Sequence, residues 1–116
     1  MEKTRVAIVG MGTVGTGVAR LLLDHGDRLA RHAGRILWLE RATVRDLKKV
    51  RGIELPPGIL TDDLETILNN REIEVVALLV GGLEPARTIM LQLLESGKDV
   101  VTANKALLLE CWYVRF

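Results

Sequence analysis

Gly10, Gly12 and Gly15, in the run Val6-Ala7-Ile8-Val9-Gly10-Met11-Gly12-Thr13-Val14-Gly15, carry the G-x-G-x-x-G spacing that lets a backbone turn meet a diphosphate. The chemistry of such a turn is electrostatic. Gly10 allows a sharp strand-to-helix reversal, Gly12 has no side chain to hold a pyrophosphate off the main chain, and Gly15 lets the helix lie close to the sheet. The free N–H groups and dipole of the helix start then attract the phosphates. The motif needs a strand before it and a helix after it. An apolar run over residues 4–9 supplies the first, and Val14, Val18, Leu21 and Leu22 recur at helical spacing to supply the second. The turn is therefore expected to bind a dinucleotide.

The elements that position it alternate between short β-branched runs and longer helical patterns, the signature of a parallel α/β sheet. A strand is predicted at residues 4–9, then a helix from 13 to 23 that runs on toward 30 with a break near His25-Gly26-Asp27. A second strand lies within 36–44, but Glu40-Arg41 interrupts its apolar pattern and leaves the register open. Leu55-Pro56-Pro57-Gly58 marks a loop, and Ile59-Leu60 a short strand. Thr61 is the expected N-cap of a helix over 62–70, with Asp62, Asp63 and Glu65 in its first turns where the dipole favours them. Residues 73–80 form the most continuous apolar strand, as a centre covered on both faces requires. A helix over 84–96 with Pro85 in its first turn and a strand at 99–102 complete the pattern. The fold class expected is α/β: a Rossmann-type doubly wound parallel sheet in three α/β/α layers, one domain over residues 1–116.

Ligands of open parallel sheets bind beyond the carboxyl ends of the strands. Four loops have that position, at residues 10–15, 44–49, 81–85 and 102–105, and together they outline one crevice. The loop after the second strand bears on the choice of cofactor. A strand ending at Val44 offers Arg45 and Asp46, with Lys48, Lys49 and Arg51 close behind; a strand ending at Leu39 offers Glu40 for the ribose. A basic residue there suits the extra phosphate of NADP and an acidic one suits NAD, so the basic cluster favours NADP. Asn104 and Lys105 face the nicotinamide half, where a lysine can touch the cofactor, polarise a carbonyl oxygen or orient a carboxylate. His25 and His32, away from the strand ends, are expected on the surface. Cys111 is the one cysteine, which leaves no disulfide and no metal cluster, and with no histidine near it in sequence it is not read as a nucleophile.

Sixteen basic and fifteen acidic residues leave a formal net charge of +1, so neither a nucleic-acid nor a membrane surface is expected. No apolar stretch approaches the roughly 20 residues that span a bilayer, and the N-terminus does not read as a signal peptide. The chain is expected in the cytoplasm. Trp112, Tyr113 and Phe116 gather most of the aromatic residues at the C-terminus. Two readings stand for them: a tail folded over an open sheet edge, or a surface that in a larger protein meets a second domain.

Four segments carry a family resemblance: Gly10-Met11-Gly12-Thr13-Val14-Gly15-Thr16-Gly17-Val18, Val44-Arg45-Asp46-Leu47, Gly81-Gly82 with Glu84-Pro85-Ala86, and Gly97-Lys98-Asp99-Val100-Val101-Thr102-Ala103-Asn104-Lys105-Ala106-Leu107-Leu108. Over residues 4–109 the chain resembles the N-terminal cofactor domain of homoserine dehydrogenase, and the last run is its most specific part. The resemblance implies an oxidoreductase that interconverts aspartate 4-semialdehyde and homoserine with NAD(P)H, in amino-acid biosynthesis leading to threonine and methionine. It implies pyrophosphate contact at Gly12, Thr13 and Val14, adenosine-side contact at Arg45, backbone approach at Gly81 and Gly82, and a nicotinamide-side role for Lys105.

Two departures matter. Leu78 stands where the family usually has a glutamate before the Gly-Gly turn, which implies a more apolar floor to the site. The family also continues with a substrate-binding and dimerising domain that supplies the acid/base lysine and aspartate. The chain is thus expected to be the cofactor-binding part of such an enzyme, incomplete at its C-terminal end, binding cofactor without turnover on its own. The alternative is a stand-alone NAD(P)-binding module. Exposed apolar faces point to a homodimer, or to a separate catalytic domain or subunit as partner.

Overall fold

A computed structural model describes residues 2–49, 53–102 and 104. Arg51, Lys105, Cys111 and the aromatic segment 112–116 lie outside the described residues. The central strand is β1 (Lys3–Val9), whose Val6, Ala7, Ile8 and Val9 are all buried. It pairs in parallel with β2 (Ile36–Thr43) on one side and β4 (Ile73–Leu78) on the other. Outside these lie β3 (Leu60–Thr61) and β5 (Asp99–Val101), giving a wholly parallel sheet in the order β3-β2-β1-β4-β5. The chain moves outward from β1 to β3, then returns past β1 to β4, so the order reverses beside β1.

Among the described residues four helices cover the sheet: α1 (Thr13–Asp24), α2 (Gly26–Ala33), α3 (Glu65–Leu68) and α4 (Ala86–Glu95). Alternation along the strands assigns the faces. Ile8, Leu39 and Ala42 pack with Ala19 of α1, whereas Ala7, Val9, Val76 and Leu78 pack with Ile67 of α3 and Ala86, Met90 and Leu93 of α4. The three-layer α/β/α expectation holds. Ile67, Leu78 and Leu93 are fully buried, and each such side chain contributes about 1.5–3 kcal/mol.

The Glu40-Arg41 interruption does not end β2. Val6 aligns with Leu39 but Ala7 with Arg41, which makes Glu40 an extra residue in a β-bulge. The other flank has the same device: Arg5 aligns with Ile73 and Val6 with Val75, with Glu74 between them. Charge pairs fasten this end of the sheet. Arg5 reaches Glu40 at 2.7 Å and Glu72 at 3.0 Å, and Arg35 reaches Glu2 at 3.4 Å and Glu74 at 4.0 Å.

Some boundaries move. The helix expected over 62–70 shrinks to α3, because Thr61 is the last residue of β3 and two local side-chain turns follow it. The Asp63 N–H donates to Thr61 Oγ1 and the Glu65 N–H to Asp63 Oδ1, which delays the helix. The last helix begins at Ala86 with Pro85 at its N-cap. The long strand ends at Leu78, although the Leu79 N–H still bonds the Val9 carbonyl at 2.8 Å. His25 and His32 are exposed. No helix among the described residues is long and apolar enough to cross a membrane.

Candidate functional site

The turn after β1 is built by two tight approaches. Gly10 has φ +100°, a conformation strained for any L side chain, and its N–H bonds the Thr43 carbonyl at 3.0 Å, tying the turn to the end of β2. A β-carbon at position 15 would drive into the Gly10 carbonyl oxygen and lie 3.0 Å from the carbonyl carbon, so α1 starts almost in contact with the strand end. Gly12 differs. A β-carbon there meets nothing within 4 Å, and the residue is exposed. Gly12 is the N-cap of α1, with no side chain capping the helix and no acidic residue in its first turn. The first N–H groups of a helix lack partners within it, so this end presents donors and an uncompensated positive dipole.

A cavity of about 500 Å³ opens in front of this turn. Val9, Gly10, Met11 and Gly12 form its floor, and Thr43, Val44, Arg45, Asp46 and Lys49 one wall. Asp62 and Leu64 extend that wall, and Leu79, Val80, Pro85 and Ile89 face it. A second cavity of about 220 Å³ is lined by Val14, Leu78, Gly81 and Asn104 and shares Leu79 and Val80 with the first. The two cavities flank the place where the strand order reverses, the usual ligand position in such sheets. All four predicted loops contribute to one or the other.

Since β2 runs to Thr43, Arg45 and not Glu40 stands at the strand end. Glu40 lies within the strand, paired with Arg5. Asp46 is held in its own turn: its Oδ1 accepts from the Lys48 N–H at 2.9 Å and its carbonyl from the Lys49 N–H at 3.4 Å. The Arg45 side chain is exposed and makes no hydrogen bond or ion pair among the described residues.

On the other side, Asn104 serves the backbone. Its Nδ2 donates to the Val80 carbonyl at 3.1 Å and to the Gly82 carbonyl, while its N–H bonds Thr102 Oγ1 at 3.2 Å. It therefore braces the exposed Gly81-Gly82 turn. Leu78, completely buried, forms an apolar floor at the smaller cavity. Of the sequence-predicted residues, Gly10, Gly12, Arg45 and Lys49 meet at the larger cavity and Val14, Gly81 and Asn104 at the smaller. Thr13 and Gly15 begin α1 between them, and Gly82 adjoins Gly81. Lys105 lies outside the described residues.

The sequence reading missed Asp62, Leu64 and Ile89 as crevice residues, whereas Pro85 closes the loop 81–85 that it had placed there. The signal for Asp62 was present: a short strand ending near Leu60 puts the next residues at the same carboxyl edge. It also missed Lys98, which is 4% exposed and donates from Nζ to the Asn70 carbonyl at 2.7 Å and the Ile73 carbonyl at 3.1 Å. Burial lowers its pKa from the ordinary lysine value.

Residues 10–114 match the profile of the homoserine dehydrogenase NAD binding domain. Homoserine dehydrogenase of Bacillus subtilis is 36% identical over 108 residues, covering 93% of this chain and 25% of that protein. That of Methylobacillus glycogenes is 37% identical over all 116 residues, 28% of its length. The crystal structure of Staphylococcus aureus homoserine dehydrogenase at pH 8.5 superposes with a TM-score of 0.87 at 30% identity, over 98% of this chain and 29% of that one. The enzyme of Thiobacillus denitrificans gives 0.84 at 38% identity, over 96% and 26%. The chain thus spans about a quarter of the length of the relatives it matches.

Proposed function

The chain belongs to the homoserine dehydrogenase family, within the stretch that is that family's NAD-binding domain, and from this membership we propose that it holds NADPH in preference to NADH for the interconversion of aspartate 4-semialdehyde and homoserine in the cytoplasm. The bound cofactor supplies the hydride. The N–H groups of Thr13 and Val14 and the bare backbone of Gly12 receive the pyrophosphate, where open space at Gly12 fits a close approach. Gly81 and Gly82 meet the nicotinamide half through their backbone, held by Asn104. Lys105, next in sequence to Asn104, is assigned the nicotinamide side. The isolated 116 residues bind cofactor without turning over homoserine.

The observation that carries the NADP preference is the state of the charges around the end of β2. Arg45 is unpartnered among the described residues, while Glu40 pairs with Arg5 and Asp46 caps its own turn. The cation is thus free for a 2′-phosphate, and the carboxylates that would take a ribose hydroxyl are engaged. Calorimetric titration of the chain and of Arg45→Ala with NADPH and NADH tests this. The parent should favour NADPH, and the variant should lose about tenfold or more for NADPH, the worth of a charge-assisted hydrogen bond, with little change for NADH. Equal losses for both reject the assignment of Arg45, and binding of neither rejects the dinucleotide site.

A further inference from the structure

Among the charged residues that line the crevice, Asp62 has neither a place in the phosphate contacts nor a partner among the described residues. Asp62 follows β3, is exposed, lines the larger cavity, and makes no hydrogen bond or ion pair among the described residues. Its acidic neighbours differ: Asp63 accepts from the Glu65 N–H, and Asp46 from the Lys48 N–H. A carboxylate beside a polyphosphate ligand opposes binding unless a donor on that ligand meets it.

The geometry points to Asp62 as the acceptor for the exocyclic amino group of the cofactor's adenine, which makes the site selective for an amino purine over a keto purine. The inference rests on the dinucleotide reading of the crevice. Thr61 pairs with Thr43, so Asp62 stands level with Val44 but one strand farther from the glycine turn than Arg45. Neighbouring strands lie about 4.8 Å apart, and two spacings carry the ligand from the pyrophosphate at β1, past the ribose at the end of β2, to its base near β3. Leu64, Pro85 and Ile89 give that region the apolar walls a flat ring needs. An ionised carboxylate only accepts hydrogen bonds. Adenine offers it a donor in the amino group, whereas hypoxanthine puts a carbonyl oxygen at that position, so two acceptors would face each other.

The test is calorimetric titration of the full chain with NADPH and with its deamino analogue, nicotinamide hypoxanthine dinucleotide phosphate. The parent should bind NADPH about tenfold tighter than the analogue. In Asp62→Asn the amide can serve either purine, so the ratio should fall close to one while the melting temperature stays parental. Arg45→Ala should keep the ratio, since it acts on the other end of the adenosine. A parent that does not discriminate overturns the assignment, as does an Asp62→Asn protein that still does. Equal weakening of both ligands in Asp62→Asn overturns it in favour of a ribose contact. Failure of the parent to bind either ligand overturns the dinucleotide reading itself, and this inference with it.

Discussion

Gly12 and Gly15 stand three residues apart in one turn, yet substitution should separate binding from folding. In Gly15→Ala the new methyl group meets the carbonyl of Gly10, oxygen and carbon both, and neither backbone atom can step aside as a side chain would. The start of α1 must lift from β1. Overpacking of this kind costs about 1–3 kcal/mol, and the contact with main chain puts the cost at the upper end, less the gain of up to about 1 kcal/mol from replacing glycine in a helix. In a domain of this size 1 kcal/mol shifts the melting temperature by about 4–8 °C, so a net loss of about 2 kcal/mol means a fall of about 8–16 °C. Gly12→Val carries no such cost. Its backbone, at φ −76° and ψ −155°, suits any L residue, and the new side chain enters open space. Its stability should stay within about 0.5 kcal/mol of the parent. The isopropyl group, however, fills the approach to the helix N–H groups and should weaken NADPH by about 100-fold or more, some 2.7 kcal/mol. Melting followed by far-UV circular dichroism and calorimetric titration read the two effects separately. A Gly12→Val protein with parental affinity would refute phosphate binding at the turn, and a Gly15→Ala protein with parental melting would refute the tight helix–strand contact.

Lys98→Met should destabilise the fold by about 1–3 kcal/mol, since the buried carbonyls of Asn70 and Ile73 lose their donor; an unchanged or raised melting temperature would contradict this. The same lysine sets a pH trend. Its folded pKa lies below the unfolded value of 10.5, so between the two the unfolded chain binds more protons and stability rises with pH. That rise should be absent from chemical denaturation of Lys98→Met over the same window, and its persistence would assign the trend to another group. Asn104→Ala removes the bonds to Val80 and Gly82, so amide exchange across residues 81–83 should quicken while affinity for 2′,5′-ADP, which reaches only the adenosine side, stays parental. Unchanged exchange would show that the turn holds itself.

Much of this architecture was legible because local chemistry and tertiary demand agree. Val6 to Gly15 reads as strand, turn and helix at every level, and the break at His25-Gly26 separates α1 from α2 as expected. Residues 62–64 were misread because their composition fits a helix start, while Thr61 was already committed to β3 and the side chains of Thr61 and Asp63 bound nearby N–H groups instead. That error concealed Asp62 as a crevice residue. The end of β2 stayed open because a charged pair inside an apolar run signals either a strand end or a bulge, and only pairing with β1 decides between them. Lys98 was opaque for a similar reason. A lysine beside a glycine and an aspartate reads as surface, and its burial depends on two carbonyls that lie 25 and 28 residues away.

The bulge at Glu40 has a consequence for inheritance. A strand presents its residues to alternate faces, so an inserted residue that stays in the ladder inverts the phase of everything downstream. Glu40 is instead bulged out of the ladder, so Leu39 and Ala42, three residues apart in sequence, still stand opposite Val6 and Ile8 and share the face toward α1. Loss of that one codon would leave Ala42 opposite Ile8 and would remove the Arg5–Glu40 pair without changing the phase of β2. The strand end that precedes Arg45 would stay in place beside β1. The bulge is in that sense a spare position, where a lineage can change the length of β2 without moving the residues at the mouth of the crevice.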